Sequence, residues 1–357
     1  MPIVIQYWKN KGIKSLLLIT LKEGEEIKSD KAAARVLKFA EEELGAKIEY
    51  FHNKTLKTGQ FTQTLRSFAA GTEFSWTLDP DKTVFITSDA DFFPNKMESH
   101  VPKVRKGKEI MFYDHDCCGF LRHRGERFQM YIMITIGMTL RRWREIMSIP
   151  DNPLDGDWID TYVNQTFNGV ISRKSTWWQW FLDQRVFGIH MKRWKEAHEE
   201  EYSRIVDTLY RKGQPRLERF DWPADDVLAK TDVWNTYESA HLTPGIFMDH
   251  VWEKNLVFYN RIFPSDQVKK LTEYRNSVVE VMNVTETLRR HYHPEQNGAY
   301  WEKTFQITDM LGEAKKRVKS KGKREQKDDM EKKADNEGTD DKAQQEKREK
   351  LEKKQEK

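Results

Sequence analysis

The feature that most restricts this chain is the stretch from residue 15 to residue 94, where short apolar runs alternate with amphipathic ones. Residues 15–21, SLLLITL, form an apolar run bounded by charge, the pattern of a strand buried on both faces. A helical pattern follows over residues 29–44. Ser29 and Asp30 can cap it, Ala33, Val36, Leu37, Ala40 and Leu44 recur at three-and-four spacing, and Gly45 ends it. Residues 47–51 read as a second strand, and residues 58–70 as a second helix carrying Phe61, Leu65 and Phe68 and stopped by Gly71. Residues 83–87 read as a third strand. Alternation of this kind predicts parallel pairing through right-handed crossovers, with ligands gathered at the carboxyl ends of the strands. The third strand ends in Ser88-Asp89-Ala90-Asp91, which puts two carboxylates at that position.

Beyond residue 94 the pattern loosens. Residues 109–113 and 131–137 look like strands, and residues 139–147, 157–168, 175–188 and 264–281 look helical. Residues 217–220 are a weak strand candidate, and residues 232–241 are mixed. No aromatic follows Phe305, and from Glu313 onward 17 Lys or Arg alternate with 13 Asp or Glu. Such a segment cannot bury enough apolar area to offset its ordering entropy. The expected organisation is a folded body over residues 1–312 and a charged, disordered or singly helical tail over 313–357. The whole chain holds 61 basic and 57 acidic residues, so the body carries 44 of each and offers no net field to a polyanion. Nucleic acid is therefore not expected as a partner of the body.

Cys117 and Cys118 are the only cysteines. Neighbouring cysteines rarely pair with each other, so the expectation is two buried thiols beside a strand, with no disulfide framework and no cysteine zinc site. The opening residues, MPIVIQYWKNKGIK, lack the apolar run of a signal peptide, and residues 16–21 are too short to span a bilayer. At face value the chain is cytoplasmic with no membrane span. The rival location is the Golgi or ER lumen, if an N-terminal anchor is missing.

Two carboxylates one residue apart at a strand end can turn toward a single hard cation. Mn²⁺ and Mg²⁺ take such oxygen ligands and share them with substrate phosphates. A cation held there offsets the charge that builds on a leaving diphosphate. Ser88 and Ala90 are small enough for a tight turn. The opposing reading is a capping or turn role, since aspartates are common in turns.

A strand-helix-strand-helix-strand lead-in ending in Ser-Asp-Ala-Asp resembles the GT-A class of glycosyltransferases. The likeness is clearest over residues 15–94, runs more loosely to about residue 250, and has no counterpart in the tail. It implies an α/β, Rossmann-like, mixed but mainly parallel sheet flanked by helices. It also implies Asp89 and Asp91 on a divalent cation, with Thr20, Arg66, Ser88 and Ala90 beside the nucleotide. Two later stretches are similar to the glycogenin-type branch: Tyr131-Ile-Met-Ile-Thr-Ile-Gly-Met with Leu140-Arg-Arg-Trp-Arg, and Trp180-Phe-Leu-Asp-Gln-Arg-Val-Phe-Gly. On that likeness Asp183 and Gln184 sit opposite the metal, with Asp183 facing the transferred sugar or the acceptor. The alternative is an exposed Asp183 on an amphipathic helix.

In such enzymes a His or Asp from a later segment completes the metal shell, and His241 in Glu238-Ser-Ala-His-Leu-Thr-Pro-Gly is the candidate. The branch pattern is His, two residues, Gly, then Lys-Pro-Trp. Here Gly245 lies one residue further on and Met248-Asp249-His250-Val251-Trp252 replaces the rest, which removes the expected diphosphate lysine. His250 is the alternative ligand, and Arg66, Arg122, Arg124 and Arg127 are the candidate cations for a diphosphate. Asp114, His115 and Asp116 read either as an acceptor or second metal site or as a polar loop. Trp177, Trp178 and Trp180 read either as sugar-stacking faces or as core.

The activity implied is metal-dependent transfer of a hexose or pentose from a nucleoside diphosphate sugar, UDP-linked, to a glycan, protein or lipid acceptor. Three rivals stand beside it. A phosphotransferase using Asp-x-Asp as nucleophile and acid would carry the motif after its first strand. A nucleotidyltransferase would show a glycine-rich phosphate loop. A non-catalytic binding protein would keep the fold without the metal.

Overall fold

A computed structural model describes residues 1–27, 30–171, 174, 176–210, 215–219, 233–243 and 245–283. The charged tail lies outside the described residues. In chain order the elements are α1 (Pro2–Asn10), β1 (Leu16–Lys22), α2 (Lys31–Lys38), β2 (Lys47–Asn53), α3 (Thr58–Leu65), α4 (Glu73–Trp76), β3 (Val84–Ile86), β4 (Phe92–Pro94), β5 (Ile110–Phe112), β6 (Phe120–His123), β7 (Glu126–Gln129) and β8 (Ile136–Thr139). They continue with α5 (Leu140–Ile146), α6 (Gly156–Thr166), α7 (Thr176–Trp180), α8 (Leu182–Ala197), α9 (Glu199–Ile205), β9 (Val206–Thr208), β10 (Arg216–Glu218), β11 (Ser239–His241), α10 (Asp249–Ile262) and α11 (Ser265–Val281). Residues 1–282 cluster as one unit.

The helices and strands of the opening alternation form, but only the first two strands pair in parallel: β1 and β2 make a two-stranded sheet of their own, and β3 lies in another. Asp30 caps α2 by accepting from the Ala32 and Ala33 N–H groups at 3.0 and 2.9 Å. A π-helical turn, Phe39–Glu43, continues the helix until Gly45 turns the chain at φ +74°, a value glycine adopts without a Cβ clash. β1 and β2 then pair in parallel from Leu16↔Lys47 to Lys22↔Asn53. α3 runs on as a 3₁₀ turn, Arg66–Gly71.

The α/β class holds, but the sheet is mixed rather than mainly parallel. Among the described residues three strand pairings are parallel and four antiparallel. β3 pairs antiparallel with β8, in a four-stranded sheet ordered β3-β8-β5-β9. A second sheet, β10-β11-β4, is built of three-residue strands. The strand expected over 131–137 forms only at Ile136–Thr139, because its register is set by pairing with β3 and β5. Tyr131 and Met133 before it are buried without being strand, and burial alone made them look extended.

Two further expectations change. The helix read over 175–188 breaks at Phe181 and then continues to Ala197. Gly188 does not stop it: a Cβ there would lie 2.5 Å from the Gln129 carbonyl oxygen, so the glycine permits close packing. Cys117 and Cys118 are half-buried and disulfide-bonded to each other, not a pair of buried free thiols. α1 and α10 were not legible as helices. No helix among the described residues is long and apolar enough to cross a membrane.

The two largest hydrophobic clusters among the described residues hold most of these elements. The larger gathers Phe61, Leu65, Phe112, Met138, Trp143, Phe167 and Phe187. The smaller gathers Tyr7, Trp8, Phe93, Leu217, Ala240 and Phe258 from α1, the three-stranded sheet and α10. β3 stands between them. Alternation along the strand turns Phe85 onto the larger cluster and Ile86 onto the smaller.

Candidate metal centre

The chain leaves β3 at Thr87, whose hydroxyl accepts from the Ile136 N–H at 2.8 Å. It turns through Ser88 to Asp91 and re-enters a sheet at Phe92. Phe92 and Phe93 are fully buried and anchor the far side of the turn. Cross-strand register then does the assembly. β4 lies antiparallel to β11 with Phe92 opposite His241, and β10 lies parallel to β11 with Glu218 opposite His241. Partners in register share a face of the sheet, so both flank the imidazole. The Leu242 N–H donates to the Asp91 carbonyl at 2.9 Å and fixes Asp91 beside His241. From α1, the Trp8 indole N–H donates to Ser88 Oγ at 3.1 Å and braces the turn.

The outcome is one cluster in which ligand atoms of Asp89, Asp91 and His241 all lie within 4.8 Å of one another. His241 Nε2 is 3.3 Å from Asp91 Oδ1 and 3.9 Å from Asp89 Oδ2. Two guanidinium groups close on the carboxylates. Arg66 Nη1 donates to Asp89 Oδ1 at 2.6 Å and to the Met133 carbonyl at 3.0 Å, while its Nε lies 3.7 Å from Asp183 Oδ2. Arg219 Nη2 donates to Asp91 Oδ2 at 2.9 Å and also touches His241 Nε2. Behind the histidine, Glu218 Oε2 lies 3.5 Å from Nδ1, and Arg216 holds the other Glu218 oxygen.

Two carboxylates and an imidazole form a donor set that could hold a divalent metal ion. A carboxylate on the far nitrogen of a ligating histidine fixes its tautomer and raises its basicity, and Glu218 stands where that partner belongs. The electrostatics agree. Burial alone would push the Glu218 carboxyl up, but His241 and Arg216 bring it down to about 2. Burial likewise opposes ionisation of Asp91, and His241 and Arg219 outweigh it. His241 is desolvated too, yet Asp91 and Glu218 lift it above its ordinary 6.5. Nε2 has a single lone pair. A proton, the Arg219 N–H and a cation all compete for it, so a bound cation excludes the other two.

The remaining predicted residues fall as follows. Asp183 is buried, not exposed on an amphipathic face, and burial pushes its carboxyl up to about 6 against the pull of Arg66. Gln184 follows it, donating its backbone N–H to Asp183 Oδ1 at 2.8 Å, with its own Oε1 buried and without a hydrogen-bond partner. Ala90 is exposed between the two carboxylates. Thr20 accepts from the Thr62 hydroxyl at 2.9 Å, on β1 and not within the acid cluster. His250 is exposed on the first turn of α10.

The other candidate stretches join different surroundings. Asp114 is buried 3.7 Å from Arg216, and His115 packs against Phe112, Tyr131 and Tyr210. Among the described residues no second metal-ligating group forms there. Arg122 and Arg127 face each other in the β6–β7 hairpin, and Arg127 covers the Phe120 ring. Trp178 packs on Phe167 under the Arg185 guanidinium, whereas Trp180 is exposed. The side chain of Trp177 lies outside the described residues.

Sequence reasoning missed Glu218, Arg219 and Trp8. Glu218 and Arg219 sit in a strand candidate that carried no motif, and Trp8 lies in an opening segment read only for a leader. No protein-family model matches this chain, and no curated protein matches it either.

Proposed function

We propose that the protein is a metal-dependent glycosyltransferase that moves a sugar from a nucleoside diphosphate sugar, UDP-linked on the GT-A resemblance, to an acceptor. The observation that carries this reading is the meeting of Asp89, Asp91 and His241 at the carboxyl end of β3, flanked by Arg66 and Arg219. A bound Mn²⁺ or Mg²⁺ would supply charge neutralisation for a departing diphosphate. The chain's own residues do the rest. Asp89, Asp91 and His241 hold the ion, and Glu218 keeps the imidazole oriented. Arg66 and Arg219 are the nearest cations for phosphate oxygens, a role guanidinium suits through its planar fork. Asp183, tied to Asp89 through Arg66, is the carboxylate placed to orient sugar or acceptor.

The test is a thermal-shift titration of the whole chain with UDP, GDP and ADP, with and without Mn²⁺. At 100 times its Kd a ligand that binds only the folded state stabilises it by about 2.7 kcal/mol. The expected result is a rise in Tm with UDP that requires Mn²⁺. Asp91→Ala should remove that rise and abolish Mn²⁺-dependent hydrolysis or transfer of the nucleotide sugar, with far-UV circular dichroism unchanged. Undiminished activity in Asp91→Ala overturns the assignment.

A further inference from the structure

The loop that joins β5 to β6 carries the disulfide between Cys117 and Cys118. A bridge stabilises a fold by closing a loop in the unfolded chain, and the contribution falls as that loop shortens. Between neighbours the closed loop is the shortest there is, so fold stability gives little reason for this bridge. Both cysteines are half-buried, flanked by exposed Asp116 and exposed Gly119, so a small thiol reagent can reach the sulfurs. Accessible bridges are the labile ones.

The ends of the loop are held. The His115 N–H donates to the Leu209 carbonyl at 3.0 Å, and the Gly119 carbonyl accepts from the Met130 N–H at 3.0 Å. Between them the Cys117 N–H donates to the Asp114 carbonyl at 3.1 Å and closes a turn in which Asp114 takes φ +55°. That left-handed conformation is uncommon for a residue with a side chain, and aspartate is among the few that tolerate it. The bridge fixes the exit of this turn, because its ring includes the peptide bond between the two cysteines. Opening the bridge returns backbone freedom to the residues on which the Asp114 turn depends.

Asp114 begins a chain of contacts that ends at the metal centre. Its Oδ2 lies 3.7 Å from Arg216 Nη1. Nε and Nη2 of Arg216 hold Glu218 Oε1, and Glu218 Oε2 lies 3.5 Å from His241 Nδ1. A second contact runs beside it: the Tyr113 hydroxyl meets Ser239 Oγ at 2.8 Å, at the start of the strand that ends in His241. Asp114 is 3% exposed, and charges so far from water act on one another more strongly than in it. Asp114 and Glu218 thus share Arg216. With Asp114 withdrawn, the guanidinium charge falls more heavily on Glu218 and weakens that carboxylate's hold on the imidazole.

We propose that Cys117 and Cys118 form a reversible redox site whose state reaches His241 through Asp114, Arg216 and Glu218. Reduction breaks the S–S bond and adds two electrons and two protons, giving two thiols; a dithiol reductant supplies both and is itself oxidised to a disulfide. The relay stands on the contacts above, while its effect on Mn²⁺ rests on the metal-centre reading.

The experiment compares the metal-free whole chain oxidised under air with the same chain reduced by excess dithiothreitol and freed of it under argon. Intact mass reads the redox state, and NMR reads the His241 imidazole, assigned by its loss in His241→Gln. The expected result is a reversible gain of two hydrogens on reduction, accompanied by a shift of the His241 signals. Mn²⁺ affinity by titration calorimetry should fall about 2–30-fold on reduction, the range for coupling through such contacts. Cys117→Ser/Cys118→Ser should match the reduced chain under both conditions. Asp114→Asn keeps a residue suited to the left-handed turn, so the redox reaction should persist while His241 no longer responds. A pair that stays as thiols under mild oxidant, unmoved His241 signals, Mn²⁺ bound equally by both forms, or a response that survives in Asp114→Asn overturns the proposal. A His241 response in a chain that binds no Mn²⁺ in either form would uphold the relay and remove the metal-centre reading instead.

Discussion

The two hydrophobic clusters deliver residues to the acid cluster by different means. The larger supplies Arg66 and Asp183 from helical segments, the 3₁₀ end of α3 and the first turn of α8. The smaller supplies Asp91, His241 and Glu218 from the ends of three-residue strands or the turn before them. A helix positions its side chains by its own hydrogen bonds. A three-residue strand has no fixed direction until its neighbours pair with it. The residues of the candidate metal centre thus depend on the smaller cluster more than on the larger, although the larger holds most of the core.

The sharpest way to break that comparison is to cut each cluster once. Phe258→Ala and Phe167→Ala each remove a fully buried ring and should cost about 3–5 kcal/mol in urea unfolding. Phe93 of β4 packs on Phe258 at 5.4 Å between ring centroids. Phe258→Ala should therefore also weaken Mn²⁺ binding, and Phe167→Ala should not. Equal Mn²⁺ affinities in the two variants would erase the distinction.

Asp183 tests the larger side through pH. Its folded carboxyl sits at about 6 against an ordinary 3.8, so its contribution to stability is fully present below pH 3.8 and is lost as pH rises through 6. A shift of that size corresponds to up to about 3 kcal/mol. Asp183→Asn should flatten the stability profile between pH 4 and pH 6 relative to the parent, measured by denaturant midpoints at each pH. A parallel profile in the variant would show that another group carries the effect.

The smaller side is probed by Glu218→Gln, which leaves His241 in place but weakens its orienting partner. Mn²⁺ affinity should fall about 10–100-fold by titration calorimetry, the usual loss on removing such a partner. The smallest effect expected is opposite in sign. Arg219→Gln removes the guanidinium charge and shortens the side chain that competes for Nε2, so Mn²⁺ should bind several-fold more tightly, on the order of 1 kcal/mol. Weaker Mn²⁺ binding in Arg219→Gln would mean that the guanidinium supports the ion instead of competing with it.

Legibility followed the same division. β1, α2, β2 and α3 carry their periodicity, caps and stops in contiguous residues, and they formed with small changes in their ends. Asp89 and Asp91 were readable because their strand precedes them directly. Asp183 was placed by resemblance, and its burial against Arg66 was not visible. Glu218 and Arg219 were invisible as site residues. Nothing within residues 216–219 says that they pair with a strand more than twenty residues later. α1 and α10 were hidden because their apolar residues serve the smaller cluster, whose other members lie far away in the chain. The disulfide between Cys117 and Cys118 runs against the general rule for neighbours, and only coordinates reveal it.

By itself, then, the sequence determined the alternating opening, the turn that carries two carboxylates and the balance of formal charge over residues 1–312. Each of these depends on interactions among residues a few positions apart, where period, capping and charge act directly. The tertiary structure decided the mixed sheet, the union of His241 with Asp91, and the partners Glu218, Arg66 and Arg219 around them. Those depend on the register between short strands distant in sequence, which is set by pairing and shared burial and leaves no local trace.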